Sequence, residues 1–249
     1  MIIRIDSRAN SKLKILLSEK DHYYIFEGEK LVRDILKKKT EISKLIITKD
    51  KENFINNLDY EIDETWIVSE QVMKKISDFK DHSDFIAFVK IKKNKINFSL
   101  AQTVIVLDNI QDPANAGTIL RCASAFGVSN IAFTGDCVKQ NNRKLLRGSQ
   151  GAILDINHQS FSNLNDLLKK SEIRNFNVYL TSSKESVRTL DVEQINFPCL
   201  IIIGNEGKGI SKELFLKYPT LKIPQKSRIE SLNAGVSACI IMYEIGKLI

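Results

Sequence analysis

Apolar residues recur at helical spacing in the first third of the chain, where Leu31, Val32, Ile35 and Leu36 share one face of a segment running from Glu29 to Lys37. Short β-branched and aromatic runs predict strands at Lys44 to Thr48, Thr65 to Val68 and Phe85 to Val89, and Glu70 to Ile76 predicts a second helix. Together these make a small α/β sandwich. The next segment, Lys90 to Ser99, is rich in lysine and asparagine and lacks apolar periodicity, so it divides the chain into domains 1–95 and 96–249.

In the second domain, strands are predicted at Val104 to Leu107, Asn130 to Phe133, Val178 to Thr181, Leu200 to Ile203 and Leu221 to Ile223. Helices are predicted from about Gly117 to Phe126, from Leu164 to Ser171 and from Asn233 to Ile249. The last carries a stripe at Val236, Ile240, Tyr243 and Lys247, flanked by Cys239 and Met242. Alternating strands and helices argue a mostly parallel sheet with helices on both faces.

Three of the predicted strands end in segments that couple glycine or proline turns to polar side chains. The first is Asp112-Pro113-Ala114-Asn115-Ala116-Gly117-Thr118-Ile119-Leu120-Arg121. The second is Ile203-Gly204-Asn205-Glu206-Gly207-Lys208-Gly209-Ile210. The third runs from Ile223-Pro224 to Glu230-Ser231-Leu232-Asn233-Ala234-Gly235. Ligands of open α/β sheets gather at such strand ends. The second segment is neither of two familiar phosphate loops. A P-loop needs Gly-x4-Gly-Lys-Ser/Thr, whereas Lys208 is followed by Gly209. The dinucleotide fingerprint needs Gly-x-Gly-x-x-Gly after the first strand, where only Gly117 stands.

In order and spacing the three segments resemble the signature motifs of the SpoU (TrmH-like) branch of the SPOUT superfamily, S-adenosylmethionine-dependent RNA ribose 2'-O-methyltransferases. The resemblance runs from about Thr103 to the end of the chain. Phe26-Glu27-Gly28-Glu29-Lys30-Leu31-Val32 also resembles the opening of that family's substrate-binding domain. Where relatives commonly carry a Pro-Gln-Gly turn, this chain reads His82-Ser83-Asp84. The resemblance implies a ribosomal-protein-like α/β RNA-binding domain, and a C-terminal α/β SPOUT domain with a trefoil knot. It also implies a homodimer through the C-terminal domain.

It implies residue roles as well. Arg121, Asn115, Glu206, Ser231 and Asn233 are the expected catalytic set, with Asn115 and Glu206 orienting Arg121. Thr181, Gly204, Asn205, Gly207, Ile223, Leu232 and Asn233 are expected at the S-adenosylmethionine site, and Lys226 and Arg228 at RNA phosphates. On the residues alone, Asn115 equally suits a helix cap or Asx-turn, and Ser231 and Asn233 suit a cap on the last helix. The expected substrate is structured RNA, with a guanosine of large-subunit ribosomal RNA ahead of transfer RNA. A catalytically silent RNA binder on the same fold is the alternative from a different class.

Composition adds limits to this picture. At 249 residues and 43% hydrophobic, the chain can bury a sizeable core, and its net charge of +7 suits a polyanionic partner. Uncharged stretches such as Ser231 to Tyr243 are shorter than the roughly 18 to 20 apolar residues of a membrane span. Charges at Arg4 and Asp6 do not fit a secretory leader. Cys122, Cys137, Cys199 and Cys239 are dispersed without CxxC spacing, and His22, His82 and His158 are scattered. The expectation is therefore reduced cysteine in a reducing cytoplasm, with no metal site and no membrane role.

Overall fold

The computed structural model describes the chain except for residues 59–61, 80, 93–94, 182–188, 192–193, 206–208 and 226–230. It divides into two units, Met1–Lys92 and Lys93–Ile249.

The first unit runs β1 (Ile2–Ile5), α1 (Ser11–Ser18), β2 (Tyr23–Glu27), α2 (Glu29–Lys37) and β3 (Lys44–Thr48). A 3-10 segment over Lys49–Asn57 then leads to β4 (Glu64–Val68), α3 (Glu70–Ile76) and β5 (Phe85–Lys90). Its sheet has the order β1-β4-β3-β5-β2, with β5 antiparallel to both β3 and β2. Alternation along the strands supplies two apolar faces. Ile25, Ile46, Trp66, Ile86 and Phe88 pack with Leu13 and Leu16 of α1 and with Val72, Met73 and Ile76 of α3. The other face meets α2, which contacts β2 and β5 through its stripe of Leu31, Val32, Ile35 and Leu36.

The second unit runs β6 (Thr103–Asp108), α4 (Pro113–Ala125), β7 (Asn130–Thr134), α5 (Arg143–Ser149), β8 (Asn157–Phe161), α6 (Leu164–Leu168), β9 (Asn177–Thr181) and β10 (Thr189–Leu190). Then come β11 (Cys199–Gly204), α7 (Lys212–Lys217), β12 (Thr220–Leu221) and α8 (Ala234–Gly246). Its seven strands take the order β10-β12-β9-β11-β6-β7-β8, and every neighbouring pair is parallel. Val104, Val106, Leu180, Leu200 and Ile202 share one core with Leu164, Leu167, Ile173 and Phe176. On α8, which meets β11, Ala238, Ile241, Met242 and Ile245 are buried.

Helix α4 packs between α5 and α8. Its approach to α5 is close because two glycines face each other: a Cβ on Gly117 would stand 2.8 Å from the Leu145 carbonyl oxygen and 3.0 Å from Gly148 Cα. Backbone atoms cannot swing aside as a side-chain tip can, so Gly117→Ala forces the helices apart. We expect a loss of about 1–3 kcal/mol, read as a lower denaturant midpoint; an unchanged midpoint would refute this account of the crossing.

The stripe Val236, Ile240 and Tyr243 is the exposed face of α8, with Val236 at 47% and Tyr243 at 49% exposure, while the helix buries its other side. One sequence expectation changes here, because the cysteines are not all reduced. Cys122 of α4 and Cys239 of α8 form a disulfide, with Cα atoms 5.6 Å apart, so their distance in sequence said nothing of their distance in the fold. Among the described residues no helix is long and apolar enough to cross a membrane.

On β8, burial holds the imidazole of His158 below its ordinary range. The unfolded chain then takes up a proton first, so the neutral form's stability contribution is present above a pH of about 6.5 and is lost as pH falls below it. The melting temperature should drop between pH 7 and pH 5 by more in the native protein than in His158→Gln; equal drops would remove His158 as a cause.

Candidate active site

Because all seven strands are parallel, their carboxyl ends lie along one edge. Register pairs Gly204 of β11 with Asp108 of β6, Asp108 with Thr134 of β7, and Leu221 of β12 with Thr181 of β9. The chain leaves β6 toward β7 and β8 on one side and later fills β9 and β12 on the other, so the strand order reverses around β6 and β11. A crevice at such a switch point is where open α/β sheets bind nucleotide-like ligands.

The second motif is tied to the first strand's turn here. Asn205 Nδ2 donates to the Asn109 carbonyl at 2.9 Å, and Thr181 Oγ1 donates to the Ile202 carbonyl at 3.0 Å. Gly204 is required by packing: a Cβ there would lie 2.6 Å from Ile210 Cγ1 and 3.2 Å from Ile210 N. Asn109 takes a positive φ of 57°, and its Oδ1 accepts from the Asp136 amide at 3.0 Å. Sequence reading missed Asn109; its signal was an Asp-Asn pair ending a β-branched run, a common turn former.

The first and third motifs meet through their helix termini. Asp112 caps α4 by accepting from the Ala114 amide at 2.9 Å, which places Pro113 at the first helical position and Asn115 in the first turn. Asn233 caps α8 by accepting from the Val236 amide at 3.2 Å. The same side chain donates from Nδ2 to Asn115 Oδ1 at 2.9 Å. Gly235 permits this contact, since a Cβ there would stand 3.4 Å from Asn115 Oδ1 and 3.1 Å from Asn233 Oδ1. The Cys122–Cys239 disulfide fastens the same two helices further along.

Asn115 and Arg121 lie on one helix, α4. Six residues of α-helix separate them, about 240° around the axis and roughly 9 Å along it, so they occupy different faces. Asn115 is buried and bonded to Asn233, whereas Arg121 is exposed. Through Asn233, Asn115 anchors the helix that carries Arg121. Ser231 and Asn233 are exposed, and Ile223, Leu232, Gly204, Asn205 and Thr181 are partly buried. Glu206, Gly207, Lys226 and Arg228 lie outside the described residues.

Beneath the edge, Cys137 Sγ donates toward the Leu107 and Thr134 carbonyls at 3.1 and 3.3 Å and accepts from the Ile110 amide at 3.2 Å. Burial pushes its thiol up to about 11, so it is a neutral structural group and not a nucleophile near neutral pH. Asp108 is likewise occupied, accepting from Thr134 Oγ1 at 2.7 Å. Among the described residues, no three His, Cys, Asp or Glu side chains form a group able to hold a metal ion.

A parallel sheet whose strands β6, β9, β11 and β12 end along one carboxyl edge, beside the capped starts of α4 and α8, defines an α/β domain with polar side chains gathered at that edge. The profile of the SpoU rRNA Methylase family matches residues 102–243, and the chain belongs to that family. Residues 18–87 match the MRM3-like substrate binding domain. The chain is 28% identical over 252 residues to the 23S rRNA (guanosine(2553)-2'-O)-methyltransferase RlmP of Bacillus subtilis, covering 97% of this chain and 98% of that protein. It is 36% identical over 145 residues to an uncharacterized tRNA/rRNA methyltransferase of Synechocystis; that match takes in 58% of this chain and about half, 53%, of the relative's length. An AdoMet-bound rRNA methyltransferase from Sinorhizobium meliloti shares the fold over 99% of this chain and 98% of its own, with a TM-score of 0.79 at 22% identity. AviRb, a SpoU methyltransferase from Streptomyces viridochromogenes, does so over 96% and 97%, with a TM-score of 0.74 at 19% identity.

Proposed function

We propose that the protein transfers a methyl group from S-adenosylmethionine to a ribose 2'-hydroxyl of large-subunit ribosomal RNA, at a guanosine. The observation that carries this reading is the Asn233–Asn115 hydrogen bond, which joins the first and third motifs within the sheet edge that also presents Gly204 and Asn205. The family match and the full-length similarity to RlmP supply the substrate class. The partly buried residues Thr181, Gly204, Asn205, Ile223 and Leu232 are assigned to the donor site, their amides and carbonyls to the adenosine edge. When bound, the donor supplies an electrophilic methyl carbon on a sulfonium.

The chain's own part is positioning and charge. A new O–C bond forms as the C–S bond breaks, the sulfur departs as a neutral thioether, and the hydroxyl proton passes to solvent. Arg121 is assigned to the oxygen that acquires negative charge. A guanidinium presents N–H donors in a fixed fork and no acceptor, so it acts as a fixed donor and not as a base. Glu206 is assigned to hold it, Ser231 and Asn233 to line the pocket, and Lys226 and Arg228 to position RNA phosphates. Gly207 belongs to the donor loop, and the trefoil knot is part of the same reading. Domain 1–95 is the RNA-binding module, 96–249 the catalytic one, and the cytoplasm is the compartment that suits such a substrate.

Titration calorimetry tests the donor site. S-adenosylmethionine and its demethylated product should each bind without added metal; absence of heat with both, while ribosomal RNA still binds, would leave an RNA binder without the reaction.

A homodimer through α8 belongs to this proposal, supported by the exposed apolar residues Val236, Ile240 and Tyr243. Light scattering at micromolar concentration should give twice the chain mass, and Tyr243→Glu should halve it. A monomeric native protein would contradict the dimer.

A further inference from the structure

We propose that a cleft in the first unit, between α2 and the 3-10 segment after β3, holds one unstacked nucleobase of the RNA substrate. This rests on the RNA reading above and adds a second, independent point of contact. The cleft has a volume of about 480 Å³, within the roughly 300–1,000 Å³ typical of ligand clefts. Its apolar wall is Leu36, Phe54, Leu58 and Phe85, and charged groups rim it. Phe54 stands edge-on to the buried Phe85, with ring centroids 5.0 Å apart, so its own ring is fixed. Arg33 Cζ lies 4.4 Å from the Phe54 centroid. The guanidinium is held in place because Nε and Nη2 donate to Glu29 Oε1 at 2.9 and 2.7 Å.

The rim selects among ligands. Arg33, Lys37 and Lys51 are donors, while Glu29 and Asp50 are carboxylate acceptors in the same wall. Each cation already has an acid nearby: Lys37 has Asp34 at 3.5 Å, and Lys51 has Asp50 at 3.2 Å and Asp84 at 3.8 Å. A phosphate would meet those carboxylates, and a purely apolar ligand would strip water from five charges for no return. A nucleobase is flat, stacks on aromatic rings and arginine, and carries donors and acceptors together on its edge. The cleft's floor and rim offer both complements.

The test uses the full chain and a large-subunit rRNA transcript carrying 5-iodouridine. Binding is measured over a range of salt, with methylation by the native protein followed in parallel. Phe54→Leu keeps apolar volume but removes the ring, and Arg33→Ala changes an exposed side chain that folding tolerates. Each should weaken binding about fivefold to a hundredfold, the range of a lost base stack. Phe54→Leu should leave the salt slope unchanged, Phe54→Trp should restore binding, and photo-crosslinks should map to the peptide containing Phe54. Loss in Arg33→Ala alone, with a salt slope shallower by about one, would mean a phosphate contact and overturn the base site. Native-level binding in both variants, with methylation intact, would overturn the cleft and leave the proposed function standing. Failure of the native protein both to bind and to methylate the transcript would remove both.

Discussion

Replacing Arg121 with alanine lowers methyl transfer by about a hundred- to a thousandfold, while S-adenosylmethionine binding and melting temperature stay close to native. The size follows from removing one fixed donor aimed at developing negative charge, which costs roughly 3–4 kcal/mol in other enzymes. The selectivity follows from where Arg121 sits. It is exposed on α4, and that helix is held independently by the Asn115–Asn233 bond, the Gly117–Gly148 contact and the disulfide from Cys122. An exposed substitution on an anchored helix changes stability by about half a kcal/mol or less. Single-turnover kinetics with saturating donor separate the outcomes. Near-normal turnover in a folded Arg121→Ala protein would remove Arg121 from the mechanism.

Breaking the Cys122–Cys239 bond costs the most stability. The bond closes a loop across 117 positions, so its removal frees a large unfolded ensemble. Loss of a link of this kind is worth about 2–4 kcal/mol, or on the order of 5–15 °C in melting temperature for a unit of this size. The melting curve of Cys122→Ser measured with and without dithiothreitol checks this. The variant should melt low in both conditions and the native protein only with reductant. A native protein indifferent to reductant would show that helix packing alone holds α4 on α8. Cys137 and Cys199 should not confuse the result, because burial pushes both thiols up to about 11 and keeps them slow to react.

Much of this architecture could be read from residue order, and the failures have physical causes. β3, β6 and β11 are buried along nearly their whole length, and strands covered on both faces appear as continuous apolar runs. β8, Asn-His-Gln-Ser-Phe, sits at the sheet's edge and is only partly buried, so it carries no such run and was missed. Helix α4 begins at Pro113, earlier than expected, because Asp112 caps it and Pro113 suits the first turn; in sequence the same pair also reads as a loop. α5 is short, and what it buries, Leu145 and Leu146, is too brief to show a period. α8 was legible from Asn233 onward, but a helix apolar on nearly every side has little phase to show which side is buried.

The site divides similarly. Glycine- and asparagine-rich turns after β-branched runs marked the strand ends, and the sheet gathers Thr181, Gly204 and Asn205 along one edge. What one-dimensional spacing could not supply was which motif residues touch. Asn115 pairs with Asn233 across a separation of 118 positions, and Gly235 matters for the room it leaves them. Asn109, silent in the motif search, anchors Asn205 through its carbonyl.

The most direct measurement is a nucleotide-resolution map of 2'-O-methyl groups on a large-subunit rRNA transcript after incubation with S-adenosylmethionine and either the native protein or Arg121→Ala. A single new ribose methyl at a guanosine, present with the native protein and absent with the variant, is the predicted result. A base methyl, or a map identical to that of RNA incubated without protein, would contradict it.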